Sequence, residues 1–172
     1  MVTTTTQEFA GPNEAYAQAY GDNGALAIPP ARKLAIVTCM DARVDPAAAL
    51  GLKLGDAHVI RNAGGVAADS IRSLVISQRL LGTREIALFH HTDCGMLTFS
   101  SDQLRGIVLK ESGGVDVGDA LAAVGSFHEF GDVEAAVKAD VAFLKAHPLV
   151  LKETVVTGWV HQVETGKVRR IV

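Results

Sequence analysis

Cysteine, aromatic side chains and charge of one sign are all scarce in this 172-residue chain. Two cysteines, Cys39 and Cys94, close at most one disulfide, and a chain this long builds a core without a staple, so reduced thiols are the expected state. Aromatics make up 5% of the residues against 48% hydrophobic and 20% charged. That Ala/Val/Leu/Gly-rich balance suits close packing of helices on a sheet and excludes a disordered chain. The formal net charge of −3 gives no basic excess, so charge-driven binding of nucleic acid is not expected. Long apolar runs are missing too. Leu34 to Val37 and Ile86 to Phe89 are of strand length, far short of the roughly 20 residues a bilayer helix needs, so no membrane partner is expected. The start, Met1 to Phe9, lacks the basic and apolar regions of a signal peptide, which makes the cytoplasm the expected compartment.

What is present divides into an arm and one domain. Residues 1–32 hold a polar start, a short helical stretch around Asn13 to Tyr20, and breakers at Gly21, Asn23, Gly24, Pro29 and Pro30. Such an arm is expected to dock on a partner. Residues 33–172 fit a single α/β domain of ordinary size. Strand-like runs begin at Leu34, Ala57, Glu85 and Thr154. Between the second and third, Ile71, Leu74, Val75, Gln78 and Leu81 recur at helical spacing, and Gly82 supplies the stop. A strand, a helix and a strand make a crossover, which implies a parallel sheet. Ser101 to Glu111 reads as a further helix, followed by a glycine-rich loop over Ser112 to Gly118. Asp132 to Ala146 is another, with Asp132 as N-cap and Val133, Val137, Val141 and Leu144 on its buried stripe. The tail reads as a hairpin at the sheet edge, turning through Glu164 to Lys167. The expected architecture is a mainly parallel central sheet of about four strands, flanked by helices, with an antiparallel C-terminal edge strand or hairpin.

On this reading Cys39 ends the first strand and His91 the third, so both lie at the carboxyl edge of one parallel sheet, where open α/β sheets bind ligands. Cys94 follows His91 by three residues, close enough to hold the same ion. Two thiolates and one imidazole suit zinc, and three protein ligands leave a catalytic position open. Asp41 and Arg43 follow Cys39 at spacings of two and four, where they pair with one another or address that open position. Alternatives stand beside this. A cysteine at a strand end also serves as a small buried hydrophobe, Cys39 and Cys94 can form a disulfide, and zinc can tie two strands together without catalysis.

Cys39-x-Asp41-x-Arg43, the Arg61-Asn62-Ala63-Gly64 segment and His91-x-x-Cys94-Gly95 together resemble the β-class carbonic anhydrases, over roughly Ala31 to Phe99. The length and the His90 to Met96 wording are similar to the small branch of that family, which also contains carbonyl sulfide and carbon disulfide hydrolases. The resemblance implies one zinc ion per chain on Cys39, His91 and Cys94, with Asp41 as the fourth ligand of a closed state. It implies Asp41 and Arg43 as the catalytic dyad beside a metal-bound hydroxide. The implied reaction is hydration of carbon dioxide to bicarbonate, with hydrolysis of carbonyl sulfide to hydrogen sulfide and carbon dioxide as the alternative. It also implies a homodimer, or a tetramer built of dimers, in which the N-terminal helix embraces the neighbouring subunit.

The remaining residues have plainer expectations. Strand alternation sends His90 to the face opposite His91, where a hydrogen-bonded core role is expected. Asp93 is expected to cap the turn before Cys94 or bond a backbone amide. Arg61 and Asn62 fit an internal hydrogen-bond network, and Gly64-Gly65 fits close backbone packing beside the metal. Val66, Met96, Leu97 and Phe99 lie near the ligands in the chain, while His58, His128, His147 and His161 have no partner readable from sequence.

Overall fold

Apolar runs separated by helical periodicity produce a sheet whose strands run parallel. In the computed structural model, which describes residues 5–172, β1 (Leu34–Cys39), β2 (Ala57–Asn62), β3 (Glu85–His91), β4 (Val155–Gln162) and β5 (Lys167–Arg170) form one sheet in the order β2-β1-β3-β4-β5. Residues 1–4 of the expected arm lie outside the described residues. The first four strands are parallel, and β5 runs antiparallel to β4 at the edge, as the hairpin expectation required. The helices are α1 (Ala10–Gln18), α2 (Pro46–Leu50), α3 (Ala67–Arg79), α4 (Ser101–Glu111), α5 (Gly118–Val124) and α6 (Val133–Ala146).

Two of the helices were unforeseen, α2 and α5. Asp45 accepts hydrogen bonds from the Ala47 and Ala48 N–H groups, Pro46 opens α2 and Gly51 closes it in the left-handed region. Five residues are too few to show a helical period. The anticipated Asp132 cap is present, its side chain accepting from the Ala135 N–H, and a capping box of Ser100 with Gln103, not anticipated, starts α4. The arm helix begins at Ala10 rather than near Asn13 and ends at Gln18.

Helices α3 and α6 cover one face of the sheet. There Val37, Leu88 and Val156 pack with Leu74, Val137, Val141 and Leu144, all buried. Each such leucine or valine contributes about 1.5–3 kcal/mol by leaving water. Gly158 lets α6 approach β4, since a Cβ there would stand 2.5 Å from Val137 Cγ1 and 2.8 Å from Val141 Cγ2. On the opposite face Ile36, Ala87 and Phe89 are buried, but Leu34, Leu52, Trp159 and Val168 are only partly so. Part of that face is a groove of about 230 Å³. Among the described residues of the arm Pro30 alone is buried; α1 has no buried residue, and Phe9, Tyr16, Leu26 and Ile28 are exposed. Among the described residues no helix is long and apolar enough to cross a membrane.

Candidate metal centre

Cys39 and His91 are the last residues of two adjacent strands, β1 and β3, which places both at the carboxyl edge of the sheet. Cys94 returns to them through a turn in which Asp93 adopts a left-handed backbone, φ +52°. The ligand atoms of Cys39, His91 and Cys94 lie within 4.8 Å of one another, and all three residues are buried. Both cysteines are free thiols, so the disulfide alternative does not hold.

The chemistry of these donors fits a metal ion. His91 Nδ1 stands 2.8 Å from the Thr92 carbonyl oxygen, which can only accept, so Nδ1 carries the hydrogen. Nε2 then presents its lone pair toward the sulfurs, and it is a buried nitrogen with no hydrogen-bond partner. Thr92 is itself fixed, its hydroxyl donating to Glu164 at 2.8 Å and accepting from the Val163 N–H at 3.0 Å. The Cys39 thiol is held below its usual range, first by Cys94 and against burial, with His91 and the backbone of Asp41 adding to the effect. Cys94 is pushed up, first by Cys39, and burial adds to the rise. Two sulfurs and an imidazole nitrogen, buried and within 4.8 Å of one another, are a donor set that suits a soft divalent cation.

Beside the cluster, Asp41 and Arg43 pair with each other. Arg43 Nε donates to Asp41 Oδ1 at 3.0 Å and Nη2 to Oδ2 at 2.8 Å, and the Arg43 backbone N–H also reaches Oδ1 at 2.9 Å. These bonds hold the Asp41 carboxyl well below the usual carboxylate range. Its Oδ2 lies 3.7 Å from His91 Nε2, beside the position the three ligand atoms face. Asp93 departs from expectation. It caps no turn; instead its carboxylate accepts from Arg43 Nη1 at 2.7 Å and its carbonyl from Nη2 at 2.9 Å. The β1–β3 adjacency brings these two loops together, and a local reading of the turn carries no sign of it.

Arg61 and Asn62 build the expected network. Arg61 donates to the Cys39 carbonyl at 3.1 Å and to the Asp41 carbonyl at 2.7 Å, fixing the backbone that carries ligand and dyad. Asn62 brackets Val66 by accepting from its N–H at 2.7 Å and donating to its carbonyl at 2.9 Å. Gly65, at φ +73°, passes so close that a Cβ would stand 2.7 Å from the Phe89 carbonyl oxygen and 2.8 Å from Cys39 N. The other histidines acquire partners away from the cluster: His58 bonds Ser77 at 2.8 Å and His128 faces Asp69 at 3.9 Å. His147 accepts from the Leu149 N–H at 3.2 Å. His161 is in register with His91, and burial, helped by His91, lowers its pKa.

A cavity of about 390 Å³ opens over Cys39, Asp41 and Cys94, walled by Met40, Ala63, Gly64, Met96, Phe99, Leu104 and Phe127. Met96 and Phe99 were near the ligands in sequence and do line it, whereas Val66 and Leu97 do not. Leu104 and Phe127 come from α4 and the loop after α5, and nothing in the sequence links them to the cysteines.

A sequence profile described as carbonic anhydrase matches residues 34–168. Beta-carbonic anhydrase 1 of Mycobacterium tuberculosis is 44% identical over 98% of this chain and 98% of its own. The carbon disulfide hydrolase of Saccharolobus solfataricus is 37% identical over 83% of this chain and 79% of its own. Among solved structures, a carbonic anhydrase from Glaciozyma antarctica superposes with a TM-score of 0.91 at 55% identity, covering 99% of this chain and 100% of its own. With the profile spanning the sheet and the Cys39, His91 and Cys94 cluster at its edge, the chain belongs to the zinc-dependent β-carbonic anhydrase family.

Proposed function

We propose that the protein hydrates carbon dioxide to bicarbonate, with Cys39, His91 and Cys94 holding one zinc ion per chain and Asp41 and Arg43 as the catalytic dyad. The observation that carries this reading is the placement of Asp41. Its Oδ2 stands 3.7 Å from the unpartnered His91 Nε2 while Arg43 grips both carboxylate oxygens. A structural zinc tie has no use for such a pair. When bound, zinc supplies a Lewis acid that makes water a nucleophile at neutral pH. With zinc held by Cys39, His91 and Cys94, the ionised Asp41 would accept a hydrogen bond at Oδ2 from the attacking water and orient it toward the cavity without taking its proton. Arg43 keeps Asp41 ionised and in place, while Asp93 holds the Arg43 guanidinium and Arg61 holds the Asp41 backbone. The apolar walls at Met96, Phe99, Leu104 and Phe127 favour a small, linear, uncharged substrate and exclude competing water.

The apolar lining and the carbon disulfide hydrolase relatives support a second reading at the same site, hydrolysis of a carbon–sulfur double bond as in carbonyl sulfide. One zinc-loaded preparation decides between them. Carbon dioxide hydration is expected to exceed hydrogen sulfide release from carbonyl sulfide or carbon disulfide in kcat/KM, and the reverse order replaces the first reading by the second. Asp41→Asn and Arg43→Ala are expected to lower kcat/KM by about 100-fold or more. Unchanged rates in both would leave only the structural zinc module. A structure of Arg43→Ala is expected to show Asp41 turned toward the ligand cluster.

The exposed apolar side chains of the arm support a reading of the assembly. We infer that residues 33–172 form the catalytic unit, and that the arm lays Phe9, Tyr16, Leu26 and Ile28 on the open sheet face of a second copy, giving a homodimer. The free thiols fit a reducing cytoplasm.

A further inference from the structure

Consecutive strand residues face opposite ways, and β3 ends on two histidines that do so. His90 points to the α6 side, where it is buried and its Nδ1 donates to the Gly64 carbonyl at 2.7 Å, the hydrogen-bonded core role expected of it. His91 faces the two cysteines instead. Strand β4 pairs with β3 as far as His161 opposite His91, runs one residue further to Gln162, and then turns through residues 163–166 into β5. Gly166, at φ +69°, closes that turn, its N–H and that of Thr165 donating to the Gln162 carbonyl at 2.8 and 3.2 Å. The overhang brings the turn alongside Thr92. The Thr92 N–H donates to the His161 carbonyl at 3.0 Å, the Thr92 hydroxyl accepts from the Val163 N–H at 3.0 Å, and it donates to Glu164 Oε2 at 2.8 Å. Three bonds from one hairpin fix one residue.

The residue so fixed is the one whose carbonyl oxygen receives the His91 Nδ1–H at 2.8 Å. That oxygen belongs to the Thr92–Asp93 peptide, which swings by rotation about Thr92 ψ and Asp93 φ, so it can direct the ring only while both neighbours are held. On the Asp93 side, Arg43 Nη2 grips the next carbonyl at 2.9 Å. On the Thr92 side, the backbone N–H bond is one point of attachment and the hydroxyl is the second. We propose that Glu164 is a positioning residue for His91: by accepting from the Thr92 hydroxyl it holds the Thr92 carbonyl on Nδ1, which keeps the hydrogen there and leaves the Nε2 lone pair for the metal. An oxygen acceptor behind an imidazole fixes the ring's tautomer and orientation and raises the basicity of the other nitrogen. The inference rests on the reading of Cys39, His91 and Cys94 as metal ligands. Glu164 lies 72 residues after Thr92 and comes to it only because β4 outruns β3.

Glu164 is exposed, so its replacement removes the bond without opening the core. Three quantities are read on the zinc-loaded protein and its variants: the solvent-exchange rate of the His91 Nδ1–H by nitrogen-edited proton NMR, zinc affinity by competition with a chelator, and the thermal midpoint. Glu164→Ala is expected to speed that exchange about 10-fold and to weaken zinc binding by about 10-fold. Glu164→Gln keeps an acceptor oxygen and is expected to stay within about twofold of wild type in both. Thr92→Val removes the hydroxyl and is expected to follow Glu164→Ala, whereas Thr92→Ser keeps the hydroxyl and is expected to follow the wild type. The two position-164 variants carry the test if a position-92 variant fails to fold. Wild-type exchange and affinity in Glu164→Ala overturn the proposal even at a lower thermal midpoint, because the bond then serves stability alone. An equal loss in Glu164→Gln overturns it as well, since the carboxylate charge and not the hydrogen bond is then responsible. A wild-type protein that takes up no zinc overturns this inference together with the metal reading beneath it.

Discussion

On the sheet face beneath α3 and α6, Val37, Leu88 and Val156 are sealed by Leu74, Val137 and Leu144, whereas on the other face Leu34, Trp159 and Val168 stand half in water around Ile36, Ala87 and Phe89. Parallel sheets normally have both faces covered. The same kinds of residue thus meet two fates. The sealed face carries the stability of the single chain, because its apolar area is fully withdrawn from water. The open face leaves a groove of about 230 Å³, and the exposed apolar side chains of the arm are the matching surplus. The Cys39, His91 and Cys94 cluster lies at the carboxyl edge between the two faces.

Four measurements bear on that contrast, beginning with the largest expected effect. Leu88→Ala on the sealed face is expected to destabilise the chain by about 3 kcal/mol in denaturant unfolding, at every protein concentration. Removing residues 1–32 is expected to weaken self-association by about 100-fold in sedimentation and to leave a thermal midpoint that no longer depends on concentration. Trp159→Ala on the open face is expected to weaken self-association by about 10-fold, with a smaller loss in the isolated chain. Should it cost as much as Leu88→Ala at all concentrations, the open face is core in its own right and the contrast fails. The smallest effect is electrostatic. Because Arg43 depresses the folded-state pKa of Asp41, their pair adds stability above the unfolded carboxylate pKa of about 4, and that stability is lost as pH falls toward the folded value. The difference in thermal midpoint between metal-free wild type and Asp41→Asn is therefore expected to hold from pH 7 to pH 5 and to shrink below about pH 4.

Legibility from sequence followed the length scale of each feature. The apolar runs of β1 and β3, the periodic stripes of α3 and α6, and the Asp132 cap are local patterns and were readable. So was the gathering of Cys39, His91 and Cys94, because strand ends in a parallel sheet converge on one edge and the donor types are distinctive. Helices α2 and α5 were missed because five and seven residues do not display a helical period. The bond from Arg43 to Asp93 joins residues 50 apart, and the cavity walls at Leu104 and Phe127 come from separate elements. Such contacts follow from strand order and helix docking, which no spacing in the chain encodes.

Only Thr92 and Asp93 separate His91 from Cys94, so the chain must reverse within two residues, and Asp93 does it at φ +52°. Few residues sit comfortably there; Gly, Asn and Asp do. Of these three only Asp also gives Arg43 an anionic oxygen. Ordinary ideas of a mild substitution therefore invert at this position: Glu keeps the charge but strains the reversal, Gly keeps the reversal but abandons the arginine, and neither the size nor the polarity of a replacement ranks its tolerance.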